Sequence, residues 1–141
     1  MRKGVFGFLG GALMLLMAST VASAHHAFAA EFDWKKPVTL TGTVTKVDWG
    51  NPHTHVFIDA KDESGKQAMW NLELGSPKAL AKHGWARTML KQGEQITADG
   101  WLAKDGSKSA SAKSIKLANG KELFAGSSFF DTMQENRQAR R

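Results

Sequence analysis

Between residues 38 and 124, apolar and polar side chains alternate in short runs, and this alternation constrains the fold more than any other feature. A period of two residues is typical of β-strands that bury one face only. Asp105-Gly106 and Asn119-Gly120 separate the later runs, and such dipeptides favour tight hairpins because they accept a left-handed backbone. The sequence therefore predicts a mainly β protein.

The first strand is expected to be long and bent. Apolar residues and a glycine occupy the even positions from Val38 to Val44, whereas the next apolar pair, Val47 and Trp49, occupies odd positions. One extra residue near Lys46 would shift the pattern in this way, so we predict a β-bulge there.

Four further strands and one short helix complete the predicted domain. The strands are expected at residues 53–60, 67–74, 96–102 and 109–117. The helix is expected after the third strand, because Ser76 can act as its N-cap, Pro77 suits its first position and Gly84 suits its end. Residues 121–124 are expected to return against the fifth strand.

Three strands, a helix and two strands form the order of an OB-fold-like Greek-key barrel, with five strands and one short helix between strands 3 and 4. An open antiparallel sheet with one helix is the alternative. We favour the barrel because the strands after the long first one are short, and all five are apolar on one face only.

Residues 1–24 are predicted to be a secretory signal peptide. Two basic residues precede a short uncharged apolar stretch, which ends in a small-x-small pattern at residues 22–24. The apolar stretch is shorter than the roughly 20 residues of a membrane span, so an uncleaved anchor is disfavoured. Cleavage is expected after Ala24, and cleavage after Ala29 is the alternative. The protein is therefore expected in the periplasm.

The predicted organisation has four parts. These are a signal peptide at 1–24, an N-terminal arm at 25–37, an OB-like barrel domain at 38–124 and a flexible basic tail at 125–141. Removal of the signal peptide lowers the net charge from +6 to +4. No basic stripe remains, so nucleic acid is not an expected partner. We expect a monomer without a membrane span, which binds a small ligand or a periplasmic protein.

Several kinds of chemistry are absent from the sequence. It contains no cysteine, which excludes disulfides, thiolate metal sites and thiol nucleophiles. It also contains no G-x-S-x-G, H-E-x-x-H or glycine-rich phosphate motif. A non-catalytic binding protein is therefore predicted, and copper-dependent oxidation is the least favoured alternative.

Four of the five histidines form two close pairs, His25-His26 and His53-x-His55. Cleavage after Ala24 would make His25 the first residue, whose amine and ring could chelate one ion. His53 and His55 would leave the same face of a strand, about 6.5 to 7 Å apart. Amine and imidazole ligands favour Cu(II) or Zn(II), so the four histidines are the predicted metal ligands.

Other interpretations of the histidines remain open at this stage. The first pair could be a solvated chain end. The second pair could serve only as hydrogen-bonding groups at a loop and a strand edge. His83, in the last turn of the predicted helix, is interpreted as structural because a cationic histidine suits that position.

The loop between the first two strands is a second candidate region. Asp48 or Asn51 could orient an imidazole, and Trp49 could line a ligand site. The alternative is that the loop only makes a turn while Trp49 packs in the core.

An alternative ligand face without metal is formed by outward residues, namely Phe57, Met69, Asn71 and Trp101. It would bind a small organic ligand, a saccharide or a partner protein. We prefer a different role for Trp101, in which its indole covers the N-terminal arm.

These motifs together resemble a known family, domain of unknown function family 6152, which comprises small exported bacterial proteins of uncharacterised activity. The motifs that carry the resemblance are His25-His26-Ala27-Phe28, Glu31-Phe32-Asp33, Trp49-Gly50-Asn51-Pro52-His53 and Leu90-Lys91-Gln92-Gly93-Glu94. The resemblance covers about residues 25–124. It implies export and a small β-rich domain, and it implies no particular activity.

Overall fold

The computed structural model describes residues 27–62 and 64–126. The predicted signal peptide, His25, His26 and the tail from residue 127 lie outside the described residues. The elements are β1 (Phe32–Asp48), β2 (His55–Lys61), β3 (Gln67–Glu73), α1 (Pro77–Lys82), β4 (Gln95–Ala103), β5 (Ser109–Lys116) and β6 (Glu122–Phe124). Residues 27–31, just before β1, are helical. No helix within the described ranges is long and apolar enough to cross a membrane.

The strand order is β3-β2-β1-β4-β5-β6, and all neighbours in this order are antiparallel. β3 also pairs in parallel with β5, where Asn71–Glu73 lie beside Ser109–Ser111. The first five strands therefore form a continuous circuit of pairings, with α1 between β3 and β4. This is the predicted OB-fold-like topology, in which the contact that closes the circuit is short. β6 pairs with β5 outside the circuit, as expected for residues 121–124.

The predicted bulge in β1 is confirmed. Val44 pairs with Ile58 and Lys46 pairs with Phe57, so Thr45 is the extra residue. The hydroxyl of Thr45 donates a hydrogen bond to the carbonyl of Phe57 at 3.1 Å. The bulge bends β1 and lets its two halves keep their apolar side chains on the inner face.

The core lies inside the circuit of strands. Alternation is as predicted in β2 and β3, whose inward residues are buried, including Val56, Ile58 and Leu72. α1 also begins as predicted, because the Ser76 hydroxyl accepts a hydrogen bond from the backbone N–H of Ala79. His83 caps the end of α1, and its ring packs against Phe124, which agrees with a structural role.

A second bulge, in β5, was not predicted. Asp99 of β4 pairs with Ser114 and Gly100 pairs with Ala112, so Lys113 is the extra residue. β4 itself keeps the predicted alternation, because Leu102 is half-buried against the same core as Ile96. In β5 the apolar residues change from even to odd positions between Ala112 and Ile115, and this change could have indicated the bulge.

We expected β1 to begin at Val38, but it begins at Phe32. Part of the predicted arm therefore belongs to the sheet. Phe32 pairs with Ala103, and together with Phe28 these residues form a second buried cluster. The rings of Phe28 and Trp34 lie 5.9 and 4.9 Å from that of Trp101. Trp101 thus packs against the arm, in agreement with the role that we preferred for it.

Two strands approach closely at Gly100 of β4. A Cβ at this position would overlap the carbonyl oxygen of Ser111 and lie 2.9 Å from its carbonyl carbon. We predict that Gly100→Ala lowers the free energy of unfolding by about 1–3 kcal/mol, because the strands must separate. Urea denaturation measures this effect. Gly50→Ala is the matched control, since its Cβ would meet no atom closer than 3.7 Å. Equal stability of both variants would contradict the prediction.

Candidate functional site

The H-x-H motif lies at the start of β2. His55 is the first residue of this strand, and His53 precedes it by two positions. Thr54 and Val56 are fully buried, so the alternation of the strand places both histidines on the opposite, outer face. His55 pairs in register with Glu73 of β3, which brings the polar outer face of β3 beside the motif.

Each histidine contacts a side-chain oxygen of β3 through Nδ1. His53 Nδ1 lies 3.0 Å from Oε1 of Glu73, and His55 Nδ1 lies 3.0 Å from Oδ1 of Asn71. An ionised carboxylate and an amide carbonyl can only accept hydrogen bonds, so Nδ1–H is the donor in both rings. A neutral ring with Nδ1–H keeps its lone pair on Nε2, which is the arrangement of a metal-binding imidazole.

Glu73 is the acidic centre of this group. Its side chain is mostly buried, and this burial raises the pKa of the Glu73 carboxyl above its ordinary value. The negative charge of Glu31 also raises this pKa, whereas His53 and His55 lower it. Folding therefore makes Glu73 bind a proton more readily, and a nearby cation would oppose that effect.

Glu31 and Glu73 both line a cleft of about 490 Å³. Residues 30 and 31 line one side of it, and Asn71 and Glu73 line another. Lys104, which also lines the cleft, holds the arm in place. Its backbone N–H donates to the Glu31 carbonyl at 2.8 Å, and its Nζ donates to the carbonyl of Ala29. The cleft therefore lies between the N-terminal arm and β3.

The loop residues predicted to orient an imidazole do not contact the histidines through a hydrogen bond. Asp48 pairs in register with His55, but its carboxylate is exposed and lies 3.9 Å from Nζ of Lys46. Asn51 is exposed and precedes Pro52 across a cis peptide bond. Side-chain oxygens of Glu73 and Asn71 orient the two imidazoles, whereas we expected Asp48 or Asn51 to do so.

Trp49 packs against the core, which was the alternative to a place in a ligand site. It is half-buried against the core, and its ring lies 6.3 Å from that of Trp85. The loop thus makes a turn while its indole packs inward.

The four residues predicted to form the alternative ligand face do not all lie together in the structure. Phe57 and Asn71 pair in register, and Met69, which is 63% exposed, lies on the same strand as Asn71. Trp101 lies on β4 beneath the arm rings of Phe28 and Trp34. The first three residues are therefore neighbours, and Trp101 belongs to a different part of the surface.

Sequence reasoning did not select Glu73 or Glu31. The antiparallel register of β2 and β3 could have indicated Glu73, because it places this residue opposite His55. No local pattern could have indicated Glu31, whose position depends on the docking of the arm. Within residues 27–62 and 64–126, no group of three or more His, Asp or Glu side chains is arranged to hold a metal ion.

We predict that Glu73→Gln changes the pH dependence of stability. Because the pKa of Glu73 is raised in the folded state, the contribution of this carboxyl to stability is fully present below its unfolded pKa and is lost as pH rises through its folded pKa. The variant lacks this loss, so its stability relative to the wild type should increase between about pH 4 and pH 7. Urea denaturation at both pH values measures this difference. Glu122→Gln is the control for removal of one exposed carboxylate, and an identical trend in both variants would contradict the prediction.

Comparisons with known proteins place the chain in a family. No curated protein sequence matches it significantly. The S. cerevisiae mitochondrial single-stranded DNA binding protein Rim1 is similar in structure, with a TM-score of 0.45 and 15% identity. That similarity covers 59% of this chain and 94% of the yeast chain. The model of a family of unknown function, DUF6152, matches residues 13–112, which is more than half of the sequence. This chain therefore belongs to the DUF6152 family, as its motifs indicated.

Proposed function

We propose that this protein is an exported, non-catalytic binding protein for Cu(II) or Zn(II), with His53 and His55 as imidazole ligands. One observation carries the proposal: a side-chain oxygen of β3 holds Nδ1 of each histidine, at 3.0 Å in both cases. Both rings are thereby oriented, and both have Nε2 available for a metal.

The hydrogen-bond partners suit metal chemistry. Metal-binding histidines commonly donate their second N–H to a carboxylate or a carbonyl oxygen, which fixes the tautomer and increases the basicity of the ring. Glu73 supplies the carboxylate for His53, and Asn71 supplies the carbonyl for His55. Neutral imidazoles of this kind favour Cu(II) and Zn(II) over magnesium or calcium.

The remaining ligands are assigned to the predicted mature amino terminus. The helical residues 27–31 rise only about 6 Å from end to end. His25 precedes residue 27 by two peptide units, which span at most about 7 Å. We assign its amine and ring to the cleft beside Glu73 as ligands, and His26 is an alternative ligand. Glu31, at the same cleft, contributes negative charge that favours a cation.

The packing of the arm supports cleavage after Ala24 rather than after Ala29. Phe28 is only 9% exposed, and its ring lies 5.4 Å from Phe32 and 4.1 Å from Trp34. Cleavage after Ala29 would remove this ring and expose the cluster. Export itself is inferred from the composition of residues 1–24, and the mass of the secreted protein tests the cleavage point.

The metal assignment is tested with protein that begins at His25. We expect His53→Ala combined with His55→Ala to weaken Cu(II) binding by more than about 100-fold, because loss of ligands exceeds the 10- to 100-fold effect of losing an outer partner. Glu73→Gln, which removes such a partner, should weaken binding by about 10-fold. Titration against a chromophoric chelator measures both effects, for Cu(II) and for Zn(II).

Two controls separate this site from adventitious binding. His83→Ala removes a histidine that packs against Phe124 and should bind as the wild type does. His25→Ala combined with His26→Ala, in protein that begins at residue 25, removes both terminal imidazoles and should weaken binding without changing the fold. Wild-type affinity in the double variant would overturn the assignment of His53 and His55. Fewer than two nitrogen ligands in the electron paramagnetic resonance spectrum of the Cu(II) form would do the same.

A further inference from the structure

A second cleft, of about 470 Å³, lies beside the turn between β4 and β5. It shares Ala103 and Ser107 with the cleft near Glu73 and is otherwise lined by different residues. β1, the end of β2, the following turn and the turn after β4 contribute its walls. Its volume is within the range of sites that bind small organic molecules.

One part of the lining is apolar. Val38, Leu40 and Leu102 line the cleft together with Trp70. Trp70 is 5% exposed, and its indole Nε1 is buried without a hydrogen-bond partner among the described residues. This N–H is therefore not a contact for a ligand, and Trp70 contributes apolar surface to the lining.

The other part of the lining is positively charged. Lys36, Lys61 and Lys108 line the cleft, and Asp62 is the one acidic residue among the lining residues that the structure describes. Nζ of Lys108 lies 3.1 Å from Oδ2 of Asp62 and 5.1 Å from the centre of the Trp70 ring. This ion pair joins the turn after β2 to the turn after β4 and holds the two sides of the cleft together.

Asp62 does not neutralise the remaining lysines. Hydrogen bonds from Ser64 and Lys108 hold the pKa of its carboxyl far below the ordinary value, so Asp62 is ionised and paired with Lys108. Lys36 and Lys61 are exposed, and neither makes an ion pair within residues 27–62 and 64–126. Among the described residues of the lining, there is therefore an excess of two positive charges beside an apolar wall.

We propose that this cleft binds a small organic anion with an aromatic body, of the carboxylate or sulfonate class. The ring of the ligand would pack against Val38, Leu40 and Leu102, while its anionic group would lie near Lys36 and Lys61. An apolar surface with a few convergent polar groups is the usual composition of such sites. This proposal does not depend on the metal assignment, because the two sites use different side chains.

The test uses two naphthalene probes that differ in charge. 1-Anilinonaphthalene-8-sulfonate is anionic, and N-phenyl-1-naphthylamine is its neutral counterpart. We expect Lys36→Gln combined with Lys61→Gln to weaken binding of the anionic probe by about 3- to 30-fold, as expected for two partly exposed charge contacts. Binding of the neutral probe should not change. Lys78→Gln with Lys116→Gln is the matched control, since it removes two exposed lysines outside the cleft.

The position of the probe is read from the indole N–H signals in ¹⁵N-labelled protein. The Trp70 signal, assigned with a Trp70→Phe variant, should shift most when the anionic probe binds. Three results would overturn the proposal. These are equal affinity of the anionic probe for the wild type and the Lys36/Lys61 variant, absence of binding to the wild type, and a shift of Trp101 in place of Trp70.

Discussion

The pairing of β1 on both of its edges is the constraint on which the rest of the structure depends. β4 pairs with the first part of β1 and β2 with the last part, and the two pairings overlap at Gly42 and Thr43. At Gly42 a Cβ would overlap the carbonyl oxygen of Asp59. Beyond this close contact, the bulge at Thr45 bends the strand. The bend turns β2 and β3 away from the plane of a flat sheet, so that β3 can pair with β5. The core and both clefts exist because the sheet curves in this way.

The turn between β4 and β5 separates two sites of opposite electrostatic character. On one side, Glu31 and Glu73 form an acidic cleft beside two oriented histidines. On the other side, lysines surround an apolar wall that contains Trp70. The first cleft suits a cation and the second suits an organic anion. Because Ala103 and Ser107 line both, one short hairpin positions both surfaces on the same small domain.

Local features of the fold could be predicted because they depend on neighbouring residues. The cap at Ser76 and the bulge near Lys46 are two examples. The start of β1 was expected six residues too late, because residues 33–36 do not alternate and their strand is stabilised by rings from distant parts of the chain. The bulge at Lys113 of β5 was not predicted, although the apolar residues of this strand change from even to odd positions there.

The sequence by itself determined the number and order of the barrel strands, the position of the helix, the buried face of β2 and the candidate histidines. Each of these depends on spacing along a few consecutive residues. Only the tertiary structure decided which polar groups meet, including Glu73 with His53, Asn71 with His55 and Lys108 with Trp70. Each contact joins segments that are distant along the chain. Strand register and the docking of turns set their positions, and these follow from packing of the whole core.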